Sequence, residues 1–178
     1  MRLFVALELP PAAKTALATL CYGLPGMRWT APDSFHLTLR FLGETPAHRA
    51  EEADAALAAI RARPFDLTLA GVGVFERLGR PQSLHVMAAR TDALSHLQTK
   101  IETALQRAGF PAERRRFHPH VTLGRADQVP LPRLADFLQA HSLFRAPPIQ
   151  VEAFTLFSSQ LGKERAAYTA EVEYPLAA

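Results

Sequence analysis

The chain has 178 residues, of which 48% are hydrophobic, and a formal net charge of +3 at pH 7 with a sequence pI near 9.4. A chain of this length can bury well over half of its unfolded surface without disulfides or metal ions, so one domain or two small lobes are expected. The longest apolar runs are too short for a membrane span or a signal peptide, and Cys21 is the only cysteine, which excludes an intrachain disulfide. We therefore expect a soluble, cytoplasmic protein with a mild preference for anionic partners.

The first half of the chain alternates between strand and helix patterns. Runs rich in β-formers predict strands, whereas runs rich in Ala and Leu, with Pro at their starts, predict helices. Thr45 is expected to cap the second helix, and strict alternation of apolar residues marks the last strand. In chain order the predictions are a strand at 2–9, a helix at 12–20, strands at 28–30 and 35–43, a helix at 50–62 and a strand at 65–75.

The same order recurs in the second half. Asp92 is expected to cap its first helix, and Gly109 follows the end of that helix. The predictions are a strand at 83–90, a helix at 92–105, a strand at 117–125, a helix at 131–141 and strands at 149–158 and 168–174.

The two halves are related by a nearly constant offset. Val86 follows Val5 by 81 residues, and His120 follows His36 by 84. Repetition of whole units indicates a duplication, although α/β chains also alternate their elements without any duplication. We predict a single domain, 1–178, made of two repeats at about 1–80 and 81–178, whose lobes could exchange strands. The expected fold is α+β, with pseudo-two-fold symmetry, two antiparallel sheets forming a central cleft, and helices on the outside.

A His-x-Thr-Leu pattern occurs in both halves, beginning at His36 and at His120. Because side chains alternate between the faces of a strand, each copy puts its Leu toward a core and its His and Thr toward the opposite face. A lone histidine on a strand is usually structural. Two histidines in matched settings, each with Thr38 or Thr122 two residues along, instead indicate a shared site.

The pair suits cleavage of a phosphodiester. Histidine titrates near neutral pH, so one imidazole can take a proton from water while the other gives a proton to the leaving oxygen. The hydroxyls of Thr38 and Thr122 can donate to phosphate oxygens on which charge develops. We therefore predict that His36, His120, Thr38 and Thr122 form the catalytic set.

Four segments carry a resemblance to a known family: RLFVAL at 2–7, HLTLRFLGE at 36–44, HPHVTLGR at 118–125 and LFSS at 156–159. They resemble segments of the bacterial and archaeal RNA 2′,3′-cyclic phosphodiesterases, also called 2′-5′ RNA ligases, of the 2H phosphoesterase superfamily. The resemblance implies an RNA 2′,3′-cyclic 3′-phosphodiesterase that works without a metal ion and leaves a 2′-phosphate. It also implies that the reaction can be reversed to join RNA ends by a 2′-5′ bond. By the same resemblance His36 is the proton donor to O3′ and His120 the proton acceptor from water.

Arginines flank both motifs and could bind phosphate through their planar guanidinium groups. We predict Arg40, His118 and Arg125 as substrate-binding residues. By alternation Arg40 lies on the His36 face, whereas Arg125 lies on the opposite face unless Gly124 bends the strand. The run Arg114-Arg115-Arg116 is either an RNA platform or a solvated turn.

Two aromatic residues could stack on a base, Trp29 and Phe41. Alternation makes core packing the stronger expectation for Phe41. The remaining histidines, His48, His85, His96 and His141, are expected on the surface or in packing positions.

Two alternatives to this hydrolase remain open. One is an RNA-binding module that has lost turnover, and the other is a metal-dependent phosphohydrolase using His118 and His120. The second lacks an evident third ligand, which zinc catalysis normally needs, so no cofactor and no metal are expected. The expected partner is RNA with a cyclic phosphate end or a small cyclic nucleotide. We expect a monomer with no membrane association and no obligate protein partner.

Overall fold

A computed structural model describes residues 1–163 and 165–177. Every strand and helix predicted from the sequence is present, and the predicted strands at 65–75 and 149–158 are each divided into a short and a long strand. The strands are β1 Arg2–Glu8, β2 Met27–Trp29, β3 His36–Glu44, β4 Phe65–Leu67, β5 Leu69–Arg77, β6 Arg80–Ala88, β7 His120–Ala126, β8 Ile149–Val151, β9 Ala153–Leu161 and β10 Ala166–Pro175. The helices are α1 Pro11–Ala18, α2 Ala47–Ala58, α3 Asp92–Arg107 and α4 Leu131–Ala140, and a 3₁₀ turn occupies Pro32–Ser34.

Eight strands form one antiparallel sheet in the order β10-β9-β1-β3-β7-β6-β5, with β2 also paired to β7. The short strands β4 and β8 form a second antiparallel sheet. The large sheet has two well-paired halves that meet between β3 and β7, where Leu37 pairs with Val121. The predicted α+β class with antiparallel sheets is confirmed.

The spacing of the elements supports the predicted duplication. The elements β3, α2, β4 and β5 start at residues 36, 47, 65 and 69, and β7, α4, β8 and β9 each start 84 residues later. In addition, β5 pairs with β6 and β9 pairs with β1, which is the pairing that an exchange of strands between repeats would give. The division at about 1–80 and 81–178 remains a prediction.

The helices cover one face of the large sheet. Val5, Leu37 and Val121 point to that face and are fully buried with Leu57 of α2 and Ile101 of α3. Burying a side chain of this size stabilises the fold by about 1.5–3 kcal/mol. The opposite face, which we call the cleft face, carries its own small buried cluster of Phe4, Ala6 and Phe157. Among the described residues, no helix has the length and apolarity needed to cross a membrane.

Two helix starts differ from their predictions. Helix α3 is capped by Thr91, whose side chain accepts a hydrogen bond from the Leu94 amide at 3.2 Å, and Asp92 is instead its first residue. Helix α2 has Pro46 at its N-cap position and so has no side-chain cap, and the hydroxyl of Thr45, one residue earlier, donates to the Gly43 carbonyl at 2.9 Å. The prediction of Asp92 as the cap of α3 is therefore wrong by one position. The prediction of Thr45 as the cap of α2 is also wrong, because no side chain caps that helix.

Matched irregularities change the alternation of β3 and β7. In β1, Val5 pairs with Arg40 and the next residue pairs with Thr38, so one extra residue, Leu39, is inserted in β3. In β6, Leu84 pairs with Gly124 and the next residue pairs with Thr122, so an extra residue is inserted in β7 at the equivalent place. Such a β-bulge moves the residues that follow it to the other face. In β3 this holds as far as Phe41, because a second register shift follows, at which Phe4 pairs with Phe41 and Leu3 with Gly43.

Candidate active site

His36 and His120 begin β3 and β7 and are held by the same backbone contact. The Nδ1 atom of His36 lies 2.7 Å from the Ser34 carbonyl, and that of His120 lies 2.5 Å from the His118 carbonyl. A carbonyl oxygen only accepts hydrogen bonds, so Nδ1 donates in both rings. In the neutral imidazoles the lone pair is therefore on Nε2, which leaves Nε2 as the atom able to exchange a proton with a ligand.

The two motifs meet on the cleft face at the centre of the large sheet. Because Leu37 pairs with Val121 in an antiparallel sense, the register sets position 36 across from position 122 and position 38 across from position 120. Thr38, His120 and Thr122 line a cleft of about 680 Å³. His36 shares the cleft face, since its strand partner Glu8 lies on the same face as Ala6. Three of the four predicted residues thus line the cleft, and His36 lies on the same face of the sheet across from Thr122 but does not itself line the cleft.

The His36 ring is surrounded by aromatic side chains. Ring centroids lie 5.0 Å away in Phe4, 5.2 Å away in Tyr168, which meets it edge-on, and 6.4 Å away in Phe157. Burial lowers the pKa of His36 below its ordinary value, and the Ser34 carbonyl partly opposes this. The positive charges of His120 and Lys14 lower this pKa further.

The His120 ring has neighbours of a different kind. Phe75 meets it edge-on at 4.8 Å, and the imidazole of His85 lies 5.2 Å away. Burial also lowers the pKa of His120, the His118 carbonyl opposes this, and the charge of the His118 ring lowers the pKa again. Both imidazoles are therefore biased toward the neutral form when the cleft is empty, and a bound anion would favour protonation of one of them.

His85 is a part of this environment that the sequence interpretation did not assign to the site. Its ring stacks on Phe75 at 4.2 Å and is only 5% exposed, and its Nδ1 atom has no hydrogen-bond partner among the described residues. Burial, followed by the charges of His120 and His118, lowers its pKa to about 4. The ring lies over Gly73, where a Cβ would come within 2.7 Å of Nε2, so this position needs glycine. Alternation along β6 was the signal that could have placed His85 on the cleft face.

The predicted face of Arg40 is wrong. The bulge at Leu39 turns Arg40 to the helix side, where it is 6% exposed and its Nε donates to Glu102 at 2.5 Å. Its other two guanidinium nitrogens donate to the carbonyls of Phe41 and Pro111. Although atoms of Arg40 reach the cleft wall, all three nitrogens are engaged by the protein, which argues against the predicted role in substrate binding.

The same bulges bring Phe41 and Arg125 onto the cleft face. Phe41 pairs with Phe4 and is 58% exposed, so the expectation that it packs in the core is wrong. Arg125 pairs with Ser83, is exposed and lines the cleft, as expected if the strand bends near Gly124. The two residues are 84 positions apart, so each stands at the same place beyond its motif threonine.

The remaining predicted residues are divided between the cleft and the periphery. His118 lines the cleft, and its Nδ1 accepts from Arg90 at 3.1 Å, which puts the proton of the neutral ring on Nε2. Arg115 and Arg116 line the cleft as well. Trp29 instead packs against Phe137 on the helix side, at 6.2 Å between rings, so it cannot stack on a base in the cleft. Within residues 1–163 and 165–177 no group of three or more His, Cys, Asp or Glu side chains is arranged to hold a metal ion.

Comparison with known proteins identifies the family. The family described as LigT like phosphoesterase matches residues 7–85 and, separately, residues 84–168. The chain belongs to this family. The family resemblance expected from the His-x-Thr segments is thereby confirmed, together with the expectation of a phosphoesterase.

Relatives of this LigT-like phosphoesterase share most of its length. An RNA 2′,3′-cyclic phosphodiesterase of Aeropyrum pernix is 33% identical, with 82% of this chain and 84% of the relative covered. A protein of the same name from Thermus thermophilus is 31% identical, with 99% and 90% covered. The crystal structure of Escherichia coli LigT complexed with 3′-AMP is 27% identical, covers 99% of this chain and 98% of its own, and has a TM-score of 0.81.

Proposed function

We propose that the protein hydrolyses 2′,3′-cyclic phosphate ends of RNA to 2′-phosphates, without a metal ion, using His36 and His120 as an acid–base pair. One observation carries the proposal. Both imidazoles are fixed through Nδ1 to a backbone carbonyl two residues earlier, on the same face of the sheet, which leaves two Nε2 atoms for one substrate. The relatives named RNA 2′,3′-cyclic phosphodiesterase support the choice of substrate.

In the reaction, Nε2 of His120 takes a proton from water as the water oxygen bonds to phosphorus. The bond from phosphorus to O3′ breaks, and protonated Nε2 of His36 gives its proton to O3′. One proton is taken and one is given, so the products are a 2′-phosphate and a free 3′-hydroxyl. General acid and general base catalysis of this kind each contribute about 10²- to 10⁴-fold. The direction of the two roles rests on the family resemblance, because reversal of the reaction exchanges them.

The threonine hydroxyls complete the catalytic set. Thr38 and Thr122 both line the cleft, one on each strand. In the transition state negative charge grows on the nonbridging phosphate oxygens. Hydroxyl donors already fixed in the cleft can stabilise that charge without reorganisation, and loss of one such donor typically lowers kcat by about 10²- to 10³-fold.

Phe41 and Arg125 orient the substrate from opposite ends. The guanidinium of Arg125 suits the phosphate oxygens because it can donate two parallel hydrogen bonds. The exposed ring of Phe41 offers the terminal base an apolar face for stacking. His118 contributes a further donor through Nε2, since its Nδ1 is engaged by Arg90.

The same site can also join RNA ends. Attack on the cyclic phosphate by the 5′-hydroxyl of another RNA, in place of water, would form a 2′-5′ bond with the same two proton transfers. Water is far more concentrated than RNA ends, so hydrolysis is the expected main outcome in dilute solution.

The test is a reaction with an oligoribonucleotide ending in a 2′,3′-cyclic phosphate, in excess chelator. The expected product is the 2′-phosphate, recognised by its mobility against 2′- and 3′-phosphate standards. No turnover would contradict the proposal and leave the RNA-binding alternative. Turnover that requires added zinc, or a 3′-phosphate product, would contradict the mechanism.

A further inference from the structure

The hairpin between β5 and β6 has an unusual tip. Its two-residue turn, Leu78-Gly79, has positive φ at both positions, 53° and 75°. This is the turn geometry that best suits the twist of a two-stranded hairpin, but it normally selects Asn, Asp or Gly. Leu78 is a bulky residue in a left-handed conformation and is 94% exposed. Local folding preference does not explain a strained, solvent-exposed leucine here.

The residues on either side of this turn are both arginine. Arg77 and Arg80 pair directly across the hairpin, and both are exposed. Like charges facing each other on neighbouring strands destabilise the pairing. Neither arginine forms a salt bridge within the part of the chain that the structure describes. An anion bound between the two guanidinium groups would remove the repulsion.

The hairpin tip borders a concavity that continues the catalytic cleft. Arg77, Leu78 and Arg80 line a cavity of about 470 Å³ together with Gln82, and Gln82 also lines the catalytic cleft. Ser83, the strand partner of Arg125, lies three residues from Arg80, which corresponds to about 10 Å along a strand. A few nucleotides of single-stranded RNA can span this distance.

We propose that the tip of the β5–β6 hairpin is a second RNA-binding site, which holds the phosphate backbone on the 5′ side of the cyclic end. Arg77 and Arg80 bind a phosphate between them, and Leu78 contacts the adjoining sugar or base. The site distinguishes RNA ends from cyclic mononucleotides, because a mononucleotide has no second phosphate to reach the hairpin. This inference rests on the proposed function, which places the cyclic end of the RNA in the catalytic cleft. It adds the path that the rest of the RNA chain follows across the protein.

The test compares two substrates, 2′,3′-cyclic AMP and a short oligoribonucleotide with the same cyclic end. Wild-type protein should have a lower KM for the oligonucleotide. In the variant Arg77→Gln/Arg80→Gln the oligonucleotide KM should rise about tenfold, and the slope of log KM against log salt concentration should fall by about 0.7, which corresponds to one neutralised phosphate of single-stranded RNA. Turnover of 2′,3′-cyclic AMP should be unchanged.

Two further variants separate binding from folding. Arg80→Glu gives Arg77 an opposite charge across the hairpin, so it should keep or raise the unfolding temperature while still raising the oligonucleotide KM. The matched control is Arg61→Gln/Arg63→Gln, two exposed arginines that line neither cavity, and its oligonucleotide KM should be that of the wild type.

Several results would overturn the inference. One is an oligonucleotide KM in the hairpin variants within twofold of the control. Another is an equal loss for both substrates, which would show that the hairpin supports catalysis and not RNA binding. A defect confined to Arg115→Gln/Arg116→Gln would move the RNA path to the other side of the cleft. Failure of the wild type to hydrolyse either substrate would instead count against the proposed function itself.

Discussion

The two halves of the cleft share one backbone plan and differ in what surrounds each histidine. His36 and His120 each start a central strand, donate from Nδ1 to the backbone and precede a bulge by three residues. His36 is enclosed by Phe4, Tyr168 and Phe157, whereas His120 lies beside two other imidazoles. The two imidazoles are therefore positioned by matching backbone contacts, whereas the side chains around each imidazole differ and act on its pKa in different ways.

Beyond the bulges the halves differ again. The first half presents an exposed aromatic ring at Phe41, and the second presents a guanidinium at Arg125. In the proposed binding mode, Phe41 contacts the base of a nucleotide and Arg125 contacts its phosphate. In the proposed mechanism, the two matching strands supply the paired catalytic groups, and the positions at which the halves differ orient the substrate.

Replacing either histidine tests the shared plan and should have the largest effect. His36→Ala and His120→Ala should each lower kcat for a cyclic-ended RNA by about 10²- to 10⁴-fold, because each removes one proton transfer. The loss is measured by steady-state hydrolysis with an RNA-binding assay in parallel, and binding should be largely kept. His96→Ala, at an exposed position of α3, is the control. A variant within tenfold of the wild type would show that its imidazole is not a catalyst.

The threonines test whether the hydroxyls act alike in both halves. Thr38→Val and Thr122→Val keep the side-chain shape and should each lower kcat by about 10²-fold, because a donor to the phosphate oxygens is lost. Thr→Ser at the same positions retains the hydroxyl and should stay within about tenfold of the wild type. Equal rates for the Val and Ser variants would mean that the threonines only form the strand.

His85 tests the different surroundings of His120 through the pH dependence of stability. Its folded pKa of about 4 lies below the ordinary 6.5, so protons bind the unfolded chain first and stability falls as pH falls below about 6.5. For this group alone the loss at pH 5 is about 2 kcal/mol relative to pH 7.5. Between pH 7.5 and pH 5 the free energy of unfolding of His85→Phe, measured in urea, should therefore fall by about 2 kcal/mol less than that of the wild type. The same pH sensitivity in wild type and variant would show that His85 titrates normally.

Phe41 and Arg125 test the proposed polarity and should have the smallest effects. Phe41→Ala should raise the KM for a cyclic nucleotide about tenfold through lost stacking, with inhibition by inorganic phosphate unchanged. Arg125→Ala should weaken inhibition by inorganic phosphate about tenfold, because a charge-assisted hydrogen bond is lost. The KM for the cyclic nucleotide and the inhibition constant of inorganic phosphate are measured in both variants, and each substitution should change only one of them. If each substitution changes both constants equally, the two ends of the cleft are not specialised.

Much of this arrangement was predictable from the sequence. Alternation alone placed His36 and Thr38 on one face, and the 84-residue offset to His120 indicated a second copy. Both predictions depend on regular spacing in the sequence, and the strands keep the regular alternation of side chains as far as the bulges.

Residues beyond the bulges could not be placed in the same way. Whether Leu39 is an extra residue is decided by its pairing with β1, a partner more than 30 positions away in the chain. Alternation therefore predicted the cleft face for Arg40, which lies on the helix side, and the core for Phe41, which lies on the cleft face. Arg125 was open for the same reason. Alternation along β6 could place His85 on the cleft face, but only the long-range register that pairs it with Thr122 puts it beside His120.

The central claim is that two imidazoles and two hydroxyls act on one phosphate. A crystal structure of the protein with a 2′-phosphorylated nucleotide tests it most directly. We predict that the Nε2 atoms of His36 and His120 and the hydroxyls of Thr38 and Thr122 all lie within hydrogen-bonding distance of that phosphate or of O3′. A phosphate held by Arg115 and Arg116, with either imidazole out of reach, would contradict the account.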